Sequence, residues 1–204
     1  MSDRKQHWET VFSTKQSHEV GWYQPRLETS LALIERCGLA PDAALLDVGG
    51  GDSTLVDGLL ALGYTRLSVL DIAGAALQRS QARLGPAAAG VTWIEADILS
   101  ADLPPASIDL WHDRACFHFL TDPDERRRYA AALQRALKPG GWVIMACFAP
   151  DGPQQCSGLP ALRYSAESLC VELGGRMKVV DEVVEAHVTP WEKEQRFVYA
   201  RLKG

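Results

Sequence analysis

One glycine run and three carboxylates hold most of the chemical content of this sequence. The run is Asp47-Val48-Gly49-Gly50-Gly51-Asp52-Ser53, directly after the apolar stretch Ala44 to Val48. Consecutive glycines let the backbone turn sharply and approach a ligand with no Cβ in the way. The second apolar stretch ends at Asp71, 24 residues past Asp47. An acid at that distance, on the tip of a second strand, suits the hydroxyl pair of a ribose, though it equally caps a following helix. The third stretch runs into Glu95-Ala96-Asp97-Ile98. A carboxylate followed by an aliphatic side chain can accept from an adenine amine and pack on its ring. The three features in order are far more specific than any one alone.

The glycine spacing separates possible nucleoside ligands. A dinucleotide loop requires G-x-G-x-x-G; Gly49 and Gly51 fit, but position 54 is Thr. No Gly-Lys-Ser/Thr follows, so a phosphate-binding P-loop is excluded. Asp47 precedes the first glycine, where its carboxylate would repel a pyrophosphate and attract a cation. The pattern therefore favours a ligand with a positive centre and no phosphate.

Alternating periodicities supply the elements that hold these residues. Pro25 to Cys37 reads as a helix with proline in its first turn, Ala44 to Val48 as a buried strand and Thr54 to Leu62 as a helix. Strand Arg66 to Leu70, helix Gly74 to Leu84, and strands Val91 to Glu95 and Ile108 to His112 follow. Asp122-Pro123-Asp124-Glu125 opens a helix reaching Leu137; Trp142 to Phe148 is a strand and Ser165 to Leu173 a short helix. Lys178 to Val188 and Gln195 to Leu202 read as an antiparallel pair. The expectation is one α/β domain over 1–204: a Rossmann-like, seven-stranded, mostly parallel sheet, helices on both faces, and a C-terminal antiparallel hairpin. Ligands of such sheets bind beyond the carboxyl ends of the strands.

Composition narrows the class. The chain has 204 residues, 47% hydrophobic and 23% charged, enough to bury a real core. Its net charge of −5 argues against an electrostatic nucleic-acid binder. The longest apolar run, Trp142 to Ala149, is too short to cross a bilayer, and no apolar stretch follows the charged Met1 to His7. A cytoplasmic protein, with no membrane association and monomeric or homodimeric, is expected. The five cysteines form no C-x-x-C pair, so no metal site is expected. Cys156, in a polar Gly/Pro/Gln loop, is the best candidate for a thiol that touches substrate; the other reading of all five is buried or incidental thiols.

Leu45 to Ser53, Asp71, Ala96-Asp97 and Leu137-Lys138-Pro139-Gly140-Gly141 resemble the motifs of class I S-adenosylmethionine-dependent methyltransferases, over about Trp8 to the C-terminus. The family's usual third loop glycine is Ser53 here. The resemblance implies S-adenosylmethionine as cofactor. Asp47, Gly49, Gly50, Gly51 and Ser53 would contact its methionine and sulfonium side, Asp71 its ribose, and Ile72, Asp97 and Ile98 its adenine, with Asp113 also beside it. It further implies a lid over 1–24. His7-Trp8-Glu9, Val20 to Pro25 and Ile108 to Arg114 are similar to the lysine methyltransferase branch that modifies elongation factor 1A or citrate synthase; the last segment also resembles thiopurine methyltransferase.

The acceptor is expected at Trp111 to His118. Asp113 and His118 are the candidate catalytic bases and Phe117 a candidate wall of the slot. For His112 and His118 the alternative is a structural hydrogen bond, and for Phe117 core packing. Trp22 and Tyr23 can stack on a cationic lysine or the cofactor, or staple onto the first helix. The functional expectation is methyl transfer to a small-molecule nucleophile, since no added substrate-recognition domain is visible. A protein lysine acceptor is the second reading. An NAD-type oxidoreductase and a non-catalytic cofactor-binding module are the rivals from other classes.

Overall fold

A computed structural model describes residues 3–204. After helix α1 (Asp3–Thr14) and α2 (Glu28–Glu35), β1 (Ala44–Val48), α3 (Leu55–Ala61), β2 (Arg66–Asp71), α4 (Gly74–Leu84) and β3 (Val91–Glu95) form the first half. Then come β4 (Ile108–Arg114), α5 (Pro123–Ala136), β5 (Leu137–Phe148), the two-residue strands β6 (Gln155–Cys156) and β7 (Leu159–Pro160), α6 (Ala166–Glu172), β8 (Lys178–Val188) and β9 (Glu194–Lys203). Seven strands make one sheet in the order β3-β2-β1-β4-β5-β9-β8. β1 to β5 are parallel, and β9 lies antiparallel between β5 and β8. This is the architecture the periodicities predict.

Alternation along each strand divides the core into two layers. Leu46, Val48, Trp111, Val143, Met145 and Val198 pack with α5 and α6 through Tyr129, Leu133 and Leu169. Leu45, Leu67, Val69, Leu110, Ile144 and Phe197 pack with α2, α3 and α4 through Leu31, Ile34, Leu55 and Leu77. The chain steps outward from β1 to β2 and β3, then returns to β4 on the other side of β1. That reversal leaves a crevice above the carboxyl ends of β1 and β4.

Three details depart from the periodic reading. Pro25 lies outside α2, which starts at Glu28 after a non-helical Leu27 (φ −88°, ψ 71°); the Gln24 and Thr29 side chains both bond Glu185 of β8. α5 runs directly into β5: Leu137 already pairs with Ile108, so Lys138 to Gly141 belongs to the strand rather than a break before it. Residues 3–14 form a full helix, which a weakly amphipathic sequence did not announce.

Candidate cofactor and acceptor cleft

The crevice is a cleft of about 1160 Å³, its open mouth included, ample for a ligand of nucleoside size. Its floor is the glycine run. Gly49 and Gly50 N–H both donate to Leu70 O (2.7 and 3.2 Å), which holds the loop against β2. Gly49 has φ +64°, and a Cβ there would sit 2.5 Å from Cys116 Cβ. At Gly51 (φ +54°) a Cβ would enter the space between Phe12 and Asp71 Oδ2. Both positions therefore need glycine on conformational and steric grounds.

Asp47, Gly49, Gly50, Gly51, Ser53, Asp71, Ile72, Asp97 and Ile98 all line this cleft. Asp71 is buried, and its Oδ1 accepts from Ala73 N–H at 2.8 Å. Burial pushes its carboxyl up to about 7; backbone donors from Ala73 and Gly51 oppose the shift, and the Asp47 and Asp52 carboxylates add to it. Because Asp71 lines the cleft, its carboxyl can accept from hydroxyl donors of a ligand. Ser53, also on the cleft, accepts at its Oγ from Leu55 N–H at 3.1 Å, at the start of α3. Thr54, where a dinucleotide loop would place glycine, donates its hydroxyl to Pro25 O (3.1 Å) and so fastens the segment before α2.

The roof comes from α1 and residues 17–24. Trp8 packs edge-on against Trp22 and Phe119, with centroids 5.7 and 5.0 Å apart, and Phe12 meets Trp22 at 6.2 Å. Arg4 donates to both Glu125 oxygens (2.7 Å each) and lies 3.7 Å from Asp97; Lys5 pairs with Glu95. Glu9 accepts from Gly74 N–H (2.7 Å) and Ala75 N–H at the start of α4, where the helix dipole favours a carboxylate. Ser17 donates to Asp52 at 2.6 Å. Trp22 and Tyr23, expected at the acceptor, both line the cleft, as do Arg114 and Cys116 of the expected acceptor segment and Trp8 and Phe12 of the segment expected as a lid. The Trp8–Phe12 pair, four residues apart and so on one helix face, was the available signal.

At the end of β4 the expected residues part company. His112 lines the cleft but bridges Asp47 (2.7 Å) and Ser30 Oγ (2.9 Å), all three buried. The structure does not bring Asp113, His118 or Phe117 to the cleft. Asp113 is wholly buried on the opposite side of β4, accepting from Cys116 N–H (3.0 Å), Phe117 N–H (3.1 Å) and Tyr129 Oη (2.6 Å). Burial lifts its carboxyl to about 6 against those donors. The carboxylate thus shapes the turn after β4 and touches no open space. His118 is wholly buried between Phe119 and Phe148, centroids 4.4 and 4.6 Å away, with neither nitrogen hydrogen-bonded. Burial, then the nearby Arg114 charge, push its imidazole down to about 3, so it stays neutral. Phe117 packs on Tyr129 and Tyr164. Cys156 does reach the cleft wall, but burial raises its thiol to about 11, away from a reactive thiolate.

Among the described residues no cluster of His, Cys, Asp and Glu is placed to hold a metal ion, and no helix is long and apolar enough to cross a membrane.

Comparison with known proteins bears on this geometry. A family model described as a methyltransferase domain matches residues 45–141, which contain the glycine loop and the tips of β1 to β4. A Mycobacterium tuberculosis (strain H37Rv) protein named only as an uncharacterized methyltransferase is 34% identical over 126 residues, 62% of this chain and 57% of the relative. The chain thus spans little more than half the length of that relative. The bovine eEF1A lysine and N-terminal methyltransferase is 26% identical over 141 residues, 66% of this chain and 20% of that protein. Among solved structures, one concerned with conversion of a disulfide bond into a thioacetal group during echinomycin biosynthesis superposes with TM-score 0.78 at 21% identity, covering 98% of this chain and 92% of its own. The N-methyltransferase NodS of Bradyrhizobium japonicum, solved with S-adenosyl-L-homocysteine, superposes with TM-score 0.74 at 18% identity, covering 96% and 97%.

Proposed function

We propose that this protein moves a methyl group from S-adenosylmethionine to a small-molecule nucleophile; the match of residues 45–141 to the methyltransferase-domain model and the likeness of the whole sheet to the fold of a known N-methyltransferase support the reading. The observation that carries the reading is the convergence of the glycine loop, Asp71 and Asp97-Ile98 on one cleft at successive strand ends. These residues fit the cofactor. Asp71 would accept from the ribose hydroxyls, Ile72 and Ile98 would flank the adenine, and Asp97 would take its amine. Gly49 to Gly51 leave space for the methionine arm beside Asp47. Three carboxylates around the loop, Asp47, Asp52 and Asp71, disfavour a pyrophosphate, which weighs against a dinucleotide.

When bound, the cofactor supplies a carbon already activated by a sulfonium. The protein then has to align the nucleophile and exclude water. Trp8, Phe12, Trp22 and Phe119 close the apolar roof that does the second. For the first, we assign Asp113 and His118 to the wall behind the site rather than to proton transfer, since neither meets the cleft. His112, on the cleft, has both nitrogens engaged. Such a site suits an acceptor that ionises near neutrality, a thiol or an acidic hydroxyl, more than one needing a strong base.

A protein lysine is the second reading, favoured by the similarity to the bovine lysine methyltransferase. Calorimetric titration with S-adenosylmethionine, S-adenosylhomocysteine and NADH tests the cofactor. Micromolar binding of the first two and none of the third is expected; binding of NADH alone would overturn the reading.

A further inference from the structure

Arg114, at the tip of β4, lines the cleft on the acceptor side and has no use in the scheme above. Its Nε donates to Tyr199 Oη and its Nη1 to Trp22 O, both at 2.9 Å. Its guanidinium lies over the Phe197 ring, 4.8 Å from the centroid. Nη2 is buried with no partner. Among the described residues no carboxylate pairs with Arg114. Glu185 reaches it only through Tyr199 Oη (3.3 Å) and already accepts from Gln24 (2.7 Å) and Thr29. The imidazoles facing it, His118 and His187, are both held toward their neutral forms by burial and by Arg114 itself. Cys156, also within its field, is kept a thiol. Arg114 is thus the cation of this end of the cleft.

A half-buried guanidinium with donors unspent and no counter-charge is costly, and a planar fork of donors matches a carboxylate or phosphate. Of the carboxylates that line the cleft, Asp52, Asp71 and Asp97 stand near the tips of β1 to β3, and Asp47, on the face that Arg114 shares, is engaged by His112. We propose that Arg114 receives an anionic group, a carboxylate or phosphate, of the methyl acceptor, so that the substrates are small organic anions. This rests on the methyltransferase reading and sharpens it. A cationic lysine would meet Arg114 and the cofactor's positive centre together, whereas an anion meets complementary charge at both.

The test compares wild type with Arg114→Gln and with the charge-retaining Arg114→Lys. S-adenosylhomocysteine and 5′-methylthioadenosine, which lacks the amino-acid arm, are titrated first. Failure of both to bind wild type overturns the methyltransferase reading itself. Each protein is then titrated with benzoate, phenylacetate and phenyl phosphate, and with neutral benzamide, in saturating S-adenosylhomocysteine. The expected result is an anion that binds wild type, binds Arg114→Gln about tenfold to a hundredfold more weakly and Arg114→Lys to an intermediate degree, while benzamide does not discriminate. S-adenosylhomocysteine affinity should stay within about threefold across the variants. Two results overturn the proposal. One is that no anion of the panel binds wild type, or that it binds all three proteins alike. The other is a tenfold or greater loss of S-adenosylhomocysteine affinity in Arg114→Gln with 5′-methylthioadenosine unchanged, which would give Arg114 to the cofactor's own carboxylate.

Discussion

The tips of β1, β2 and β3 and the tip of β4 are built from similar residues and put them to opposite uses. On the first side Asp47, Asp71 and Asp97 all border the cleft. On the second, Asp113 and His118 are turned into the body of the protein, Asp113 bonded to backbone N–H groups and Tyr129, His118 enclosed by aromatic rings. Alternation explains the division. His112 and Arg114 share one face of β4, and Asp47, the register partner of His112 on β1, shares it too. Asp113 lies between them and must face α5. A carboxylate at a strand tip is therefore a ligand-binding group or a structural acceptor according to which face the cleft opens on.

Four experiments would break or sharpen that contrast. The largest effect belongs to Gly49→Val, which forces a branched side chain into Cys116 at a positive φ; a loss of S-adenosylhomocysteine affinity beyond about a hundredfold, with a fall in stability of about 2–4 kcal/mol, is expected by calorimetry and thermal melting. Retained affinity would remove the close backbone approach from the account. Next, Asp71→Ala should cost about 1–3 kcal/mol of cofactor binding with little change in melting temperature, and Asp113→Asn should do the reverse, lowering stability by about 1–3 kcal/mol and affecting affinity less. Equal effects on binding would erase the distinction between the two acids.

Asp71 also predicts a pH dependence. Its folded value of about 7 is above the unfolded one, so its contribution to the stability of the unliganded protein is full below about 4 and is lost as pH rises through 7. Ribose hydroxyls favour the ionised form, so cofactor affinity should rise up to about tenfold per pH unit toward neutrality and level off above it. The slope should vanish in Asp71→Asn; a slope surviving there would assign the titration elsewhere. The smallest effect is expected of His118→Phe. Since neither nitrogen has a partner, stability should hold within about 1.5 kcal/mol and turnover should keep the wild-type pH profile. A collapse of turnover with the fold intact would return His118 to the reaction.

Much of this was legible in the sequence for a physical reason. Buried parallel strands read as apolar runs, so β1 and β3 and helix α4 have the limits their periodicity implies. A glycine loop and an acid at a strand tip are placed by the backbone, which the local sequence largely determines. The acceptor side depends on distant contacts. Nothing around Asp113 announces Tyr129, 16 residues on, and nothing near Arg114 announces Tyr199, 85 residues away. The resemblance implies a lid over 1–24, but the helix that carries Trp8 and Phe12 over the cleft is not announced, because its own hydrophobic pattern is weak and it is tied down by ion pairs with the distant Glu95 and Glu125.

The contrast between the two strand tips is tested most directly by a crystal structure of the complex with S-adenosylhomocysteine. The account predicts the ribose hydroxyls on the Asp71 carboxylate, adenine beside Ile72 and Ile98, and Asp113 still bonded to Tyr129. Asp113 in contact with the cofactor, or an Asp71 carboxylate that the ribose does not touch, would contradict it.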